Sequence, residues 1–212
     1  MTRNEAASII EARLGNRSGL TSRIYTEMQL RQGTEWERSA VLPWFLLKES
    51  SGLVTVASTR TVALPSDFLR EYDEGQIWLT DTDGYKNQLV KDTHDRLTNR
   101  FSPDGGETDS NQPDSYAIVG TNLYLFPLAD AAYSLSMFYY AAATALTTDI
   151  ENLWLQYAAD YVIADVGLLV ARHLRDSSAV ELFEGDLKMA KSRLMIDNVA
   201  RSQTAMAAYM GG

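Results

Sequence analysis

The residues of this sequence that could do chemistry do not form a recognised catalytic motif. The chain has no cysteine, which excludes a thiol nucleophile, a disulfide and a thiolate–metal site. No Lys-Ser or Lys-Thr pair follows a glycine-rich loop, and no Gly-x-Ser-x-Gly segment occurs. The two histidines, His94 and His173, lie far apart and outside any metal-ligand spacing. We expect both to be structural, and we expect no metal and no cofactor.

Two groups of acidic residues remain as candidates for chemistry. Asp81-Thr82-Asp83-Gly84 is similar to part of a calcium loop, but the third ligand position and the distal glutamate are missing. A hairpin turn is therefore the favoured interpretation. Asp160 and Asp165 lie in a mostly apolar helical segment. A buried carboxylate can act as a general acid, but it more often pairs with an arginine of a neighbouring helix or subunit. We expect such a pair, and no catalytic residue.

The composition is that of an ordinary folded protein. Of the 212 residues, 45% are hydrophobic and 22% are charged, enough for one large core or two small ones. No stretch approaches the ~20 apolar residues of a membrane helix, so we expect no membrane association. The lack of cysteine and of a signal-peptide pattern is typical of a protein made in a cytoplasm.

The net charge of −9 is concentrated in the middle of the chain. Residues 65–114 hold twelve acidic and five basic residues, a balance of −7, whereas the rest of the chain sums to −2. A protein that binds DNA tightly through its phosphates needs a basic face, and the sequence shows none. Tight DNA binding is therefore disfavoured.

Residues 1–48 are expected to form amino-terminal helices, and residues 49–147 a β region. An apolar stripe that ends at Gly15-Asn16 predicts the first helix and consists of Ala6, Ile9, Ile10 and Leu14. A second stripe, with a spacing of four, consists of Leu20, Ile24 and Met28. In the β region, Asp83-Gly84 and Gly120-Thr121-Asn122 predict hairpins, and residues 133–139 alternate like a strand. A long polar loop is expected near 101–115.

Residues 148–203 predict a helical hairpin. Thr148 with Glu151, and Ser178 with Glu181, have the spacing of capping boxes, and the first helix is expected at about 151–174. This helix is apolar on more than one face, which hints at burial against another subunit as well as the core. The candidate subunit-packing residues are Leu155, Ile163, Val166 and Val170. Basic residues of the second helix are expected to form a solvated face, namely Lys188, Lys191 and Arg193.

The segment 204–212 is small, apolar and free of charged side chains. Docking on a partner and a frayed terminus are both compatible with this composition.

Short segments spread over most of the chain carry a family resemblance. They are Ile-Ile-Glu-Ala-Arg-Leu-Gly-Asn-Arg at 9–17, Leu-Pro-Trp-Phe-Leu-Leu at 42–47, Leu-Pro-Ser-Asp-Phe-Leu at 64–69, Leu-Tyr-Leu-Phe-Pro at 123–127, Tyr-Tyr at 139–140, Asn-Leu-Trp-Leu at 152–155 leading into 160–164, and Tyr-Met-Gly-Gly at 209–212. With these segments in this order, the chain resembles the head-to-tail adaptor proteins of tailed phages, which include tail accessory factors and head-completion proteins.

The resemblance implies an α+β fold, in which a helical bundle from both ends of the chain carries an inserted, mainly antiparallel β region. It also implies a homo-oligomeric ring, usually dodecameric, that sits below the portal in the virion, extends the DNA channel and offers a platform for tail or nozzle proteins. DNA would pass through without tight binding. The carboxyl-terminal segment would contact the portal, with Arg201, Met206, Tyr209 and Met210 as the corresponding residues.

The acidic middle zone suggests one further hypothesis. Asp104, Glu107 and Asp109 could face the channel, where like-charge repulsion would keep passing DNA from adhering, or they could equally face the tail.

Two other classes of function stay open. One is a small binding module whose β region holds a peptide or a sugar. The other is a cell-wall hydrolase that uses two carboxylates as acid and base, although the sequence singles out no pair.

Overall fold

The computed structural model describes residues 1–17, 19–73, 76–102, 110–147 and 149–210, and over 202–210 it describes the helical backbone alone. The chain divides into two compact units, Met1–Leu46 with Ala142–Gly212, and Leu47–Ala141. Helices from both ends of the chain build the first unit, which we call the helical unit. Mainly antiparallel sheets build the second, the β unit. The α+β class predicted from the sequence is confirmed.

The helices and the strands are each numbered in chain order. The helices are α1 (Arg3–Arg13), α2 (Thr21–Arg31), α3 (His94–Phe101), α4 (Leu153–Tyr157), α5 (Ala159–Leu174) and α6 (Ser177–Met210), with a π-helical turn at Gln32–Trp36 and a 3-10 turn at Trp44–Leu46. The strands are β1 (Leu47–Val54), β2 (Thr61–Ala63), β3 (Phe68–Glu71), β4 (Ile77–Thr80), β5 (Lys86–Gln88), β6 (Val90–Lys91), β7 (Ser110–Asn111), β8 (Ser115–Val119), β9 (Asn122–Phe126), β10 (Leu128–Ala129) and β11 (Ser134–Ala141).

The two amino-terminal helices form where the apolar stripes predict them. Thr2 caps α1 in a capping box with Glu5, because each side chain accepts a hydrogen bond from the other residue's backbone N–H. The chain leaves α1 through Gly15, whose φ of +78° suits glycine. The predicted helix end at Gly15-Asn16 is therefore confirmed.

The predicted helix 151–174 is in fact two helices. Asn152 caps the start of α4, because its Oδ1 accepts a hydrogen bond from the backbone N–H of Trp154 at 2.7 Å. Thr148 lies outside the described residues. Ala158 then leaves the helical region, with φ −136° and ψ 36°, and α5 begins at the next residue. Period-based reasoning missed the break because apolar residues continue on both sides of it.

The predicted Ser178–Glu181 capping box at the start of α6 is wrong. The helix begins at Ser177, and Asp176 supplies the cap. Its Oδ1 accepts hydrogen bonds from the Ala179 backbone N–H at 3.1 Å and the Ser178 hydroxyl at 2.8 Å. These bonds, together with the nearby Arg17, lower the pKa of Asp176, so it caps the helix as a carboxylate.

Two larger sheets share the core of the β unit, and their strands pair antiparallel except for the parallel pair β6–β8. The strand order of one is β1-β11-β4-β5, with β3 also on β11, and that of the other is β2-β9-β8-β6. Strands β7 and β10 form a separate, short parallel pair. Both predicted hairpins are confirmed, as β4–β5 and β8–β9. The alternation over 133–139 is confirmed too, since Leu135, Met137 and Tyr139 of β11 are buried.

The β unit also contains a helix that the sequence analysis did not predict. In α3 the one buried residue is Leu97, and the apolar pattern is too short to reveal a helical period. His94 at its start packs edge-on against Tyr124, at a ring-centroid distance of 4.9 Å, and His173 ends α5 as a last-turn base. His94 therefore has a structural setting, whereas His173 is exposed and its structural role stays a prediction.

A buried carboxylate joins three elements of the helical unit. Asp165 of α5 is 3% exposed and accepts two hydrogen bonds at 2.8 Å from the Arg31 guanidinium of α2. Its Oδ2 also accepts a bond of 2.8 Å from the Trp36 indole N–H. The bond to Asp165 raises the pKa of Arg31 above its ordinary value. The predicted pairing of Asp165 with an arginine of a neighbouring helix is confirmed.

A glycine sets the contact between α5 and α6. A Cβ atom on Gly167 would lie 2.7 Å from Cδ1 of Phe183, which is fully buried, so only glycine lets the two helices approach this closely. By contrast, Gly185 on α6 has no neighbour within 4 Å of such an atom.

Replacing Asp165 with asparagine is expected to lower the free energy of unfolding by about 3 kcal/mol, because the half-buried Arg31 guanidinium loses its buried counter-charge and keeps only the exposed Glu35. Urea denaturation measures the loss. The control, Glu35→Gln, removes the exposed carboxylate that lies 3.4 Å from the same guanidinium, and should cost less than about 1 kcal/mol. Equal losses for the two variants would contradict this account of Asp165.

Gly167→Ala is expected to destabilise the protein by roughly 1–3 kcal/mol, because the new methyl group overlaps the Phe183 ring. Gly185→Ala makes the same chemical change without an overlap, and should raise stability by about 0.5–1 kcal/mol. Thermal unfolding of the two variants measures the sign of each change in stability. A Gly167→Ala protein as stable as the parent would refute the close-contact explanation.

Candidate interaction site

The outer half of α6 exposes apolar side chains that the protein's own core does not cover. The helix has 34 residues and is about 50 Å long at 1.5 Å per residue. Its first half is anchored by Ala179, Phe183 and Ala190, which are buried. Among residues 191–201 none is buried, and Met195, Ile196 and Val199 are 62%, 68% and 56% exposed. Exposed apolar residues grouped in this way mark an interaction surface.

Two contacts fix the direction of this outer half. The Asn198 side chain accepts a hydrogen bond from the Trp44 backbone N–H at 2.6 Å and donates one to the Leu42 carbonyl at 3.0 Å. The Arg201 guanidinium lies over the Trp44 ring, 4.0 Å from its centroid. The exposed segment is therefore held as a helix by the 42–44 turn. The sequence analysis did not identify Asn198 as a contact residue. The signal was an asparagine inside a helical pattern, because its side chain can hydrogen-bond to backbone groups.

A cluster of aromatic side chains packs against the 42–44 turn. Trp44 contacts Tyr157 edge-on with the ring centroids 5.0 Å apart, and Phe45 contacts Trp154 in the same way at 5.2 Å. Trp154 in turn lies 5.4 Å from Trp36, the residue that donates to Asp165. A series of packed rings thus connects outer α6 to the buried carboxylate.

A groove runs between outer α6 and the chain that follows the π-helical turn. Its volume is about 330 Å³. Three aromatic side chains, Trp36, Trp154 and Tyr161, form part of its lining. One side is built by Lys191, Leu194, Met195 and Asn198 of α6, and the other by Ser39, Ala40, Val41 and Pro43. Val41 and Met195 at its borders are 60% and 62% exposed, so the groove is open to solvent.

One basic residue of α6, Lys191, borders this groove. Lys188 and Lys191 are exposed and make no ion pair with any residue in the described ranges. Arg193 lies 3.5 Å from Asp160, and both side chains are more than 70% exposed. Such an exposed pair contributes little to stability. The predicted solvated face is therefore available to an acidic partner.

The sequence-predicted site residues fall in three different settings. Arg201 is part of the interaction surface described above. Met206, Tyr209 and Met210 continue α6, and their side chains lie outside the described residues, as do Asp104, Glu107 and Asp109 altogether.

The proposed subunit-packing residues have a simpler explanation. Leu155, Ile163, Val166 and Val170 are at most 4% exposed within a single chain. The apolar faces that suggested another subunit are covered within the chain, because α5 packs among α1, α2 and α6, and α4 packs on α5 and on the 3-10 turn. A contact surface for another subunit has to be sought on residues that remain exposed.

The candidate carboxylates of the described residues are engaged in structural contacts. Glu27 and Asp165 are the buried carboxylates among them, and each is paired with an arginine. Asp81 holds the β4–β5 turn by accepting from the backbone N–H groups of Asp83 and Tyr85, which confirms the hairpin interpretation. No group of three or more possible metal ligands occurs in the described part of the chain. Within that part, no helix is long and apolar enough to cross a membrane.

The comparison with known proteins agrees with the resemblance found in the sequence. No curated protein matches the chain. The family model described as SU10 adaptor protein matches residues 15–209, which includes α2, the whole β unit and nearly all of α6. A match over this length includes both the buried carboxylate and the exposed outer helix. The chain belongs to the SU10 adaptor protein family, a family of phage head-to-tail adaptors.

Proposed function

We propose that the protein is one segment of a homo-oligomeric ring, of twelve copies, that joins the portal of a tailed phage to its tail. The ring extends the channel through which DNA leaves the head and gives tail or nozzle proteins a platform. The protein acts in the virion at the head-to-tail junction, after synthesis in the cytoplasm of the bacterial host. Its role is structural and not enzymatic. Family membership supports the adaptor role.

One structural observation carries the portal-docking part of the proposal. Outer α6 presents Ile196 and Val199 to solvent, and the Asn198 and Arg201 contacts hold it in a defined direction. A rigid helix with an apolar side is suited to insertion into a groove of another protein. We assign this role to the portal contact, with Arg201 at its base and Met206, Tyr209 and Met210 further along the helix.

The charge of the chain suits the passage of DNA. With a net charge of −9, the protein repels a polyanion more than it attracts one. In the proposed ring, DNA passes without tight binding, and the acidic residues Asp104, Glu107 and Asp109 line the channel or face the tail.

The two alternative functions have less support. A cell-wall hydrolase needs a free acid and a carboxylate base in a cleft. The buried acids Glu27 and Asp165 are both bound to arginines. A peptide- or sugar-binding module is favoured by no feature of the described β unit, although the groove of the helical unit has the size of a small binding site.

The double variant Ile196→Glu/Val199→Glu is expected to bind the portal ring at least about tenfold more weakly, because two charges replace the apolar contact. Sedimentation of the labelled protein with increasing portal measures the affinity. The control is Leu182→Glu, on the same helix and 49% exposed, but about 21 Å closer to its start than Ile196. Portal affinities that stay unchanged in the double variant would contradict docking through outer α6.

A further inference from the structure

The β4–β5 hairpin carries an exposed aromatic residue at its tip, between Asp83 and Lys86. Tyr85 is 71% exposed, the largest exposed fraction of any large apolar or aromatic side chain among the described residues. Asp83, also exposed, lies two residues before it. An aromatic side chain so far out of the core is a typical anchor of a protein interface.

The hairpin tip is rigid. The Asp81 carboxylate accepts hydrogen bonds from the backbone N–H groups of Asp83 at 3.0 Å and Tyr85 at 2.8 Å. The Asp81 backbone N–H also donates to the Tyr85 carbonyl at 3.0 Å, and Gly84 has the φ of +88° that closes the turn. Because the backbone of the turn is already fixed by these bonds, binding has to order only the side chain of Tyr85.

The groove beside α6 has the complementary properties. It is lined by aromatic and aliphatic side chains, and its volume of about 330 Å³ lies at the lower end of the range for small binding sites, roughly 300–1,000 Å³. Lys191 borders it, and Lys188 lies one turn earlier on the same helix. An apolar hollow with two cations beside it fits an aromatic side chain next to a carboxylate.

We propose that the groove beside α6 of one copy receives Tyr85 and Asp83 from the hairpin tip of a second copy. The two surfaces belong to different parts of the chain, so the contact is heterologous and repeats from copy to copy until a ring closes. Opposite charges orient the two copies in this contact. The helical unit of one copy contributes Lys188 and Lys191, and the β unit of the other carries most of the excess negative charge of the chain. This contact rests on the proposed ring and names the residues that form it.

A cysteine pair tests the contact directly, because the chain has no other cysteine. In the proposed contact Tyr85 and Met195 lie next to each other, so the variant Tyr85→Cys/Met195→Cys, assembled on the portal and oxidised, should give a ladder of covalent oligomers on a non-reducing gel. The control is Tyr85→Cys/Leu182→Cys, whose second cysteine is exposed on the same helix about 20 Å away. It should give at least about tenfold less of the ladder.

The outcomes separate this contact from the ring itself. A portal-bound oligomer in which both pairs cross-link to the same extent, or in which the 85–195 link stays within one chain, would overturn the proposed contact and leave the ring proposal standing. A protein that never forms an oligomer on the portal would contradict the proposed function, and the contact with it.

A charge exchange provides an independent readout. Asp83→Lys and Lys191→Glu should each weaken self-association by roughly tenfold, and the two changes combined should recover most of the loss. Arg96→Glu, which changes the net charge by as much as Lys191→Glu but at an exposed base of α3, is the control for net charge and should leave self-association within about twofold. Additive losses in the double variant would overturn the assignment of this ion pair.

Discussion

The hydrogen bonds to the Asp165 carboxylate are the constraint on which the helical unit depends. A charge that is 3% exposed is tolerated only with a full set of partners, and here Arg31 and Trp36 supply three donated hydrogen bonds. These bonds fix α5 against α2 and fix the orientation of the Trp36 ring. A buried pair of this kind adds little net stability compared with an apolar core, but it selects one arrangement of the elements around it.

The exposed surface follows from that arrangement. Trp36 packs on Trp154, the aromatic cluster supports the turn at Trp44, and this turn holds Asn198 and Arg201 of α6. The outer half of α6 therefore leaves the core in a defined direction with its apolar residues uncovered. A protein that must assemble with others benefits from such a surface, because a contact helix that is already ordered loses less entropy on binding.

The sequence predicted the fold class, both hairpins, the helix end at Gly15 and the pairing of Asp165, because each rests on local chemistry or on a strong period. It did not predict the break at Ala158 or the helix α3, where the apolar pattern carries no mark of the change. The surface was harder to predict than the core. Leu155 and Ile163 looked like contact residues because a one-dimensional pattern cannot tell burial within a chain from burial between chains, and the role of Asn198 depends on a turn more than 150 residues earlier.

The central claim is that the chain is a ring-forming adaptor that assembles on a portal, and native mass spectrometry of the protein mixed with its cognate portal ring tests it most directly. The account predicts a discrete complex whose mass corresponds to one copy of this chain for each portal subunit. A protein that stays monomeric at micromolar concentration and leaves the mass of the portal ring unchanged would contradict it.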